Sequence, residues 1–255
     1  MHVNLSDKDI SGVLSSVDIM LTHRCNLNCP NCCTHSNIPS NNQLSLEQLD
    51  HFLSDAIEWS IPWRRWNITG GEPTLYPQWD EFITLLTHYH NLKPSQEIYL
   101  YTNATIPLSI ERIRRLPKWL KPQISHKDDI TLSGFSLMNI APQDLDGWDS
   151  DNITPCEITS RCGMALSWMG IYPCSPAGGI ANVIGGPPGV QCLGDVNRKT
   201  LAPLYGLCSL CGFYVCPKHA KSPMRYNDKK SLDYMSPTWY DVYQKGGHVD
   251  GNSRG

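Results

Sequence analysis

Apolar residues change their period several times along the first half of the chain, and each change marks an element. Residues 17–21 form a short apolar run, which predicts a strand. Residues 45–59 read as a helix, with Leu46, Leu49, Phe52, Leu53, Ala56 and Ile57 at helical spacing and Ser45 and Gln48 in the capping-box relation. A second strand at 65–69 places Trp66 and Ile68 on one side, and a helix with Trp79, Phe82, Ile83 and Leu86 on one face follows. The third strand spans 97–102. A helix from about Ser109 carries Ile110, Ile113 and Leu116 until Pro117 stops it. Further strands are expected at 122–125 and 130–138, and residues 1–14 read as a polar lead-in.

Strand and helix alternating across short connections imply a parallel sheet, because parallel neighbours need crossovers. About 50 residues separate Asn103 from the next cysteine, too few for three more full units. The expected α/β fold is therefore a shortened, open partial (β/α) barrel of four or five strands. Residues 1–150 would form this core, 151–235 a small Cys-rich domain, and 236–255 a C-terminal helix and flexible tail. Within the Cys-rich part, 178–189 reads as a Gly-rich loop. Ser236 and Pro237 open a short helix through Trp239 and Tyr243.

The 255 residues carry a net charge of -3, so no polyanion-binding surface is indicated and a nucleic-acid partner gains no support. No apolar run approaches membrane-spanning length. Eleven cysteines without a signal peptide point to a reducing cytoplasm, where cysteine clusters bind metal. They fall in two regions, 25–33 and 156–216, which implies two metal sites.

Cys25, Cys29 and Cys32 form a C-x3-C-x2-C triplet directly after the first strand. Three closely spaced thiolates can hold three irons of a 4Fe-4S cubane and leave the fourth iron open to a ligand. A zinc site completed by Cys33 or His35 is the competing reading. Gly70-Gly71-Glu72-Pro73 follows the second strand, and Thr102-Asn103 ends the third.

The triplet, its placement after a first strand and the Gly-Gly-Glu segment resemble the signature of the radical S-adenosylmethionine (radical SAM) superfamily. The resemblance implies that Cys25, Cys29 and Cys32 hold a 4Fe-4S cluster whose open iron chelates SAM. One-electron cleavage of SAM would give a 5'-deoxyadenosyl radical that abstracts a hydrogen atom from substrate. It further implies that Gly70, Gly71, Glu72, Asn103 and Ser125 place SAM, with the Glu72 carboxylate suited to an ammonium partner. Ala104 departs from the glycine usual after Thr-Asn.

The stretch 162–174 reads as a hairpin around Met169-Gly170 that brings Cys162 and Cys174 together, and Cys208-x2-Cys211 supplies a second pair. Cys156 is an alternative to Cys162. The region resembles, more loosely, the SPASM and twitch auxiliary-cluster domains, which implies one further 4Fe-4S cluster; a four-cysteine zinc ribbon is the rival. Cys33 and Cys192 read as spectators, and the His23, His35 and His126 side chains as structural.

The expected function is a radical SAM enzyme of oxidoreductase type acting on a small polar metabolite, a sugar or aminocyclitol, since no leader-binding N-terminal domain is evident. An external one-electron donor such as flavodoxin or ferredoxin would be its partner. A peptide-modifying maturase and a non-catalytic iron-sulfur or zinc protein are the alternatives. A glycyl-radical activating enzyme fits less well, as the auxiliary cysteines do not form ferredoxin-like repeats.

Overall fold

A computed structural model describes residues 15–29, 32–38, 40–125, 138–145, 156, 158–213 and 235–246. In chain order it contains β1 (Ser16–Thr22), α1 (Leu46–Glu58), β2 (Arg65–Gly70), α2 (Trp79–Leu92), β3 (Glu97–Thr102), α3 (Pro107–Arg114) and β4 (Leu120–Ile124). Then come α4 (Ile158–Cys162), β5 (Met164–Ser167), β6 (Gly170–Tyr172), α5 (Ser175–Ile184), α6 (Arg198–Leu201) and α7 (Pro237–Lys245). The expected strand at 130–138, Cys216, His126, the lead-in and the end of the tail lie outside the described residues.

Among the described residues the strands form one six-stranded sheet in the order β4-β3-β2-β1-β5-β6, parallel except for β6. It is the expected open partial barrel. Every residue of β1 is buried, as a central strand covered on both faces requires. At one edge, β4 exposes most of its residues and carries Pro122, whose missing N–H is tolerated there.

The hairpin expected in a separate C-terminal unit instead extends this sheet. β5 lies parallel to β1, with Val17 opposite Met164 and Ile19 opposite Leu166. β1–β4 are thus joined by two more strands, making six where four or five were expected, and β1 becomes interior.

Alternation divides the sheet into two faces. Val17, Ile19, Leu21, Trp66, Ile68, Ile98 and Leu100 are fully buried and join the helix residues Leu49, Leu53, Phe82 and Leu86 in one apolar core. Each such side chain contributes about 1.5–3 kcal/mol by leaving water. Asp18, Arg65, Asn67, Thr69 and Tyr101 alternate with them and line a cavity on the opposite face.

Three local expectations are corrected. Helix α5 (Ser175–Ile184) takes up the first part of the expected Gly-rich loop 178–189 and is ended by Gly185 in the left-handed region (φ 78°). Its glycines serve close packing, since a Cβ on Gly179 would overlap the Thr34 carbonyl. Helix α3 begins at Pro107 and buries Ser109 rather than Ile110, which is 38% exposed. The reason is polar: Ser109 Oγ and Thr74 Oγ1 are hydrogen-bonded at 2.5 Å. The fourth strand ends at Ile124, so Ser125 follows it.

Candidate functional site

Cys25, Cys29 and Cys32 lie in the segment that leaves β1 and line one cavity of about 340 Å³ at the carboxyl ends of the strands. That face is where parallel α/β sheets place their sites. Polar hydrogens surround the sulfurs. Leu27 N–H lies 3.5 Å from Cys25 Sγ, Asn103 Nδ2 lies 3.9 Å from it, and Thr34 Oγ1 lies 3.3 Å from Cys32 Sγ. Burial pushes the Cys25 thiol up to about 12, with Leu27 N–H opposing and neighbouring Cys32 adding. A cationic metal would supply the charge that the thiolate form lacks here.

The same cavity is lined by Gly70, Gly71, Asn103 and Ser125, so four of the five residues expected to place SAM meet the three thiols. Gly70 has φ +137°, and a Cβ there would overlap the Thr22 carbonyl; one on Gly71 would overlap the Arg24 carbonyl. Only glycine lets the segment after β2 lie this close to the thiol segment. Asn103 ties that segment to β3, its Nδ2 donating to Asn26 Oδ1 at 3.0 Å. Ser125 donates its hydroxyl to the Thr102 carbonyl at 3.3 Å.

Glu72 departs from expectation. It is fully buried, and its carboxylate faces protein donors rather than the cavity. Oε1 accepts from Thr74 N at 3.1 Å, Thr74 Oγ1 at 2.6 Å and Thr102 Oγ1 at 2.7 Å; Oε2 accepts from Asn103 N at 2.7 Å. Satisfied by four donors, it positions the strand ends instead of offering an anion to a ligand.

Cys156, Cys174, Cys208 and Cys211 line a second, mostly apolar cavity of about 210 Å³. The turn that brings Cys208 and Cys211 together is closed by Cys211 N–H donating to the Cys208 carbonyl at 3.1 Å. Burial raises the Cys174 thiol well above its ordinary range, followed by the influence of Cys211, and burial takes Cys208 up to about 11. The four thiols surround a space rather than a point; among the described residues no three of His, Cys, Asp and Glu gather as one metal ion requires.

Cys162, expected beside Cys174 as a ligand, lines the first cavity instead. Its place at the end of α4, two residues before β5, explains this, since Ser16 Oγ of β1 donates to its carbonyl at 2.7 Å. Cys33 also lines the first cavity and Cys192 is exposed.

The sequence reading did not single out Asp18, Arg65, Asn67, Asn37 or Ser175, all of which line the first cavity. Both amide atoms of Asn37, Asn67 Oδ1 and Arg65 Nε are buried without a hydrogen-bond partner among the described residues. Unmet polar atoms beside three thiols fit a polar cofactor or substrate next to a cluster.

His35 follows the thiol segment and joins it to the late part of the chain. It stacks on Trp239 (5.4 Å between centroids, 26°), and its Nδ1 lies 2.7 Å from Asn139 Oδ1. Burial lowers its pKa to about 4, which leaves the ring neutral. Trp239 Nε1 in turn donates to the Leu210 carbonyl, beside Cys211, at 2.8 Å.

An open parallel partial barrel with its cavity at the strand ends is the radical SAM fold. Residues 19–126 match the family model described as Radical SAM superfamily. SAM and a 4Fe-4S cluster are the cofactors of such domains. The chain is similar to the GTP 3',8-cyclase of Sulfurovum sp. (31% identity over 121 residues, 43% of this chain and 36% of that protein). It is also similar to that of Sulfurimonas denitrificans (36% over 95 residues, 36% and 28%). The chain thus spans about a third of the length of these curated relatives. The solved structure of BtrN in complex with AdoMet and 2-DOIA covers 85% of this chain and 96% of its own at 16% identity and a TM-score of 0.50, a likeness of fold. No described helix is long and apolar enough to cross a membrane.

Proposed function

We propose that the protein is a radical SAM enzyme that removes a hydrogen atom from a small polar metabolite, a sugar or aminocyclitol, with the help of an auxiliary 4Fe-4S cluster. One observation carries the reading: two thiol-lined cavities meet at the segment after β6, where Cys174 lines one and Ser175 the other. In this reading Cys25, Cys29 and Cys32 hold the SAM-binding cluster. Gly70 and Gly71 admit the SAM methionine, while Asn103 and Ser125 shape the opposite wall. When bound, cluster and SAM together supply a carbon radical able to take a hydrogen atom.

Cys156, Cys174, Cys208 and Cys211 are the proposed ligands of the auxiliary cluster, in a twitch-like arrangement with Cys156 in place of Cys162. The cavity among them suits an iron-sulfur cube better than one zinc ion, whose bonds of about 2.3 Å would draw the sulfurs together. An electron acceptor there suits a net two-electron oxidation, with flavodoxin or ferredoxin supplying the initiating electron in a reducing cytoplasm.

The names of the relatives favour a second reading, a guanosine nucleotide as substrate. Against it, Arg65 is the one cationic side chain among the described residues lining the cavity, few for a triphosphate. The anaerobically reconstituted protein, reduced with dithionite, should form 5'-deoxyadenosine. Deuterium transfer into it from a labelled amino sugar or cyclitol supports the proposal; transfer from labelled GTP or a peptide alone overturns the substrate assignment.

A further inference from the structure

Below the rim where thiols and glycines meet, the inner face of the sheet carries a buried polar floor. Asp18 of β1 stands opposite Asn67 of β2. Asn67 Nδ2 donates to Asp18 Oδ1 at 2.8 Å, and Ser175 Oγ donates to Oδ2 at 2.5 Å. Arg65, two residues earlier on the same face, and Tyr101 and Cys162 complete the walls. Asn67 precedes Gly70 by three residues, about 10 Å at the rise of a strand, so this floor lies well beneath the rim.

Two independent features point to a ligand. Asp18 is 8% exposed and forms no ion pair among the described residues, so a buried carboxylate has hydrogen bonds but lacks a counter-charge in contact. Asn67 is 5% exposed, and its Oδ1, like Arg65 Nε, has no partner among the described residues. An anion, an unpaired acceptor and an unpaired donor therefore face one space.

We infer that Asp18 and Asn67 seat an ammonium group of the substrate, with Arg65 donating to an adjacent hydroxyl. This rests on the proposed reading of the substrate as a small polar metabolite, and deepens it. A primary ammonium has three N–H donors and no acceptor. Asp18 and Asn67 Oδ1 provide acceptors and the opposite charge; Arg65 Nε needs an oxygen lone pair, which a neighbouring hydroxyl brings. An amine beside a hydroxyl, as in amino sugars and aminocyclitols, meets all three groups at once. Ser175 follows Cys174, so the seat also adjoins a wall of the second thiol cavity. SAM carries an ammonium too, and the test separates the two sources.

The experiment is anaerobic equilibrium dialysis of the reconstituted full chain in the presence of SAM. The aminated probes are glucosamine and a diaminocyclitol; glucose and myo-inositol are their hydroxyl-only counterparts. Wild type should retain an aminated probe at least about tenfold more tightly than its counterpart, and Asp18→Asn and Asn67→Ser should each lose about tenfold, with SAM retention unchanged. Melting curves identify any variant that fails to fold, and the folded one then decides.

Equal retention of the aminated probes by wild type and folded variants overturns the seat. Loss of SAM retention in parallel with the probes assigns the group to the SAM ammonium and also overturns it. Equal binding of aminated and hydroxyl-only probes to wild type removes the amine but leaves the metabolite reading intact. Binding of none of the four overturns the metabolite reading and the seat with it.

Discussion

The Glu72 carboxylate accepts the backbone N–H of Asn103 at 2.7 Å, fastening the segment after β2 to the segment after β3. Three further donors from Thr74 and Thr102 converge on its other oxygen. Glu72→Ala leaves those buried groups unsatisfied and should cost about 3–5 kcal/mol in urea unfolding. SAM affinity should fall as the wall moves. Glu72→Gln, which preserves shape, should cost less. Unaltered unfolding with lost SAM binding would assign the carboxylate to the ligand instead.

The two thiol cavities give separable metal counts. Wild type should hold about eight irons per chain after reconstitution, and replacing Cys174 or Cys208 by alanine should leave about four while 5'-deoxyadenosine still forms. Cys29→Ala should abolish that product. Cys162→Ala and Cys192→Ala should keep the full iron content. Zinc in place of the second group of irons would convert the auxiliary site to a structural one and remove the internal electron acceptor.

Asp18 makes stability depend on pH in an uncommon direction. Burial raises its pKa from 3.8 to about 6, against the hydrogen bonds from Ser175 and Asn67 and the charge of Arg65. The folded chain thus holds this proton more tightly than the unfolded one. Its contribution falls as pH rises from about 4 to 6 and levels off above, a penalty of about 3 kcal/mol at neutral pH. Asp18→Asn should therefore raise the melting temperature relative to wild type more at pH 8 than at pH 5. An equal difference at both would show that Asp18 is not perturbed.

Ala104 adopts φ 52°, the left-handed region that disfavours a Cβ. This accounts for the fit of glycine after Thr-Asn. Ala104→Gly should stabilise the chain by about 1 kcal/mol, or leave it unchanged where unfolded-state entropy cancels the relief, as read from chemical denaturation.

Local signals made much of the fold legible. Helix α1 carried both its apolar period and its capping box, and both are present, with Ser45 and Gln48 exchanging side-chain bonds. The triplet and the two glycines stood out because spacing encodes their proximity to one another. What could not be read depends on distant partners. Nothing near β5 says that it pairs with β1, and so Cys162 was grouped with Cys174 when its neighbour is Ser16. Residues 178–189 looked like a loop because glycine marks both turns and close helix packing. Asp18, Arg65 and Asn67 had a visible sign: polar residues alternate with apolar ones in strands that are buried on both faces.

The stacking of His35 on Trp239 has a consequence for biogenesis. The loop beside the first three thiols is packed by a residue synthesised about two hundred positions later. Contacts of such sequence separation form late, because closing the long intervening loop precedes any gain from it. Until α7 is made, His35 lacks this stacking partner. Docking of α7 then fixes that loop and, through Leu210, the edge of the second thiol site in one event. The packing around both thiol regions is thereby tied to a single late side chain, Trp239.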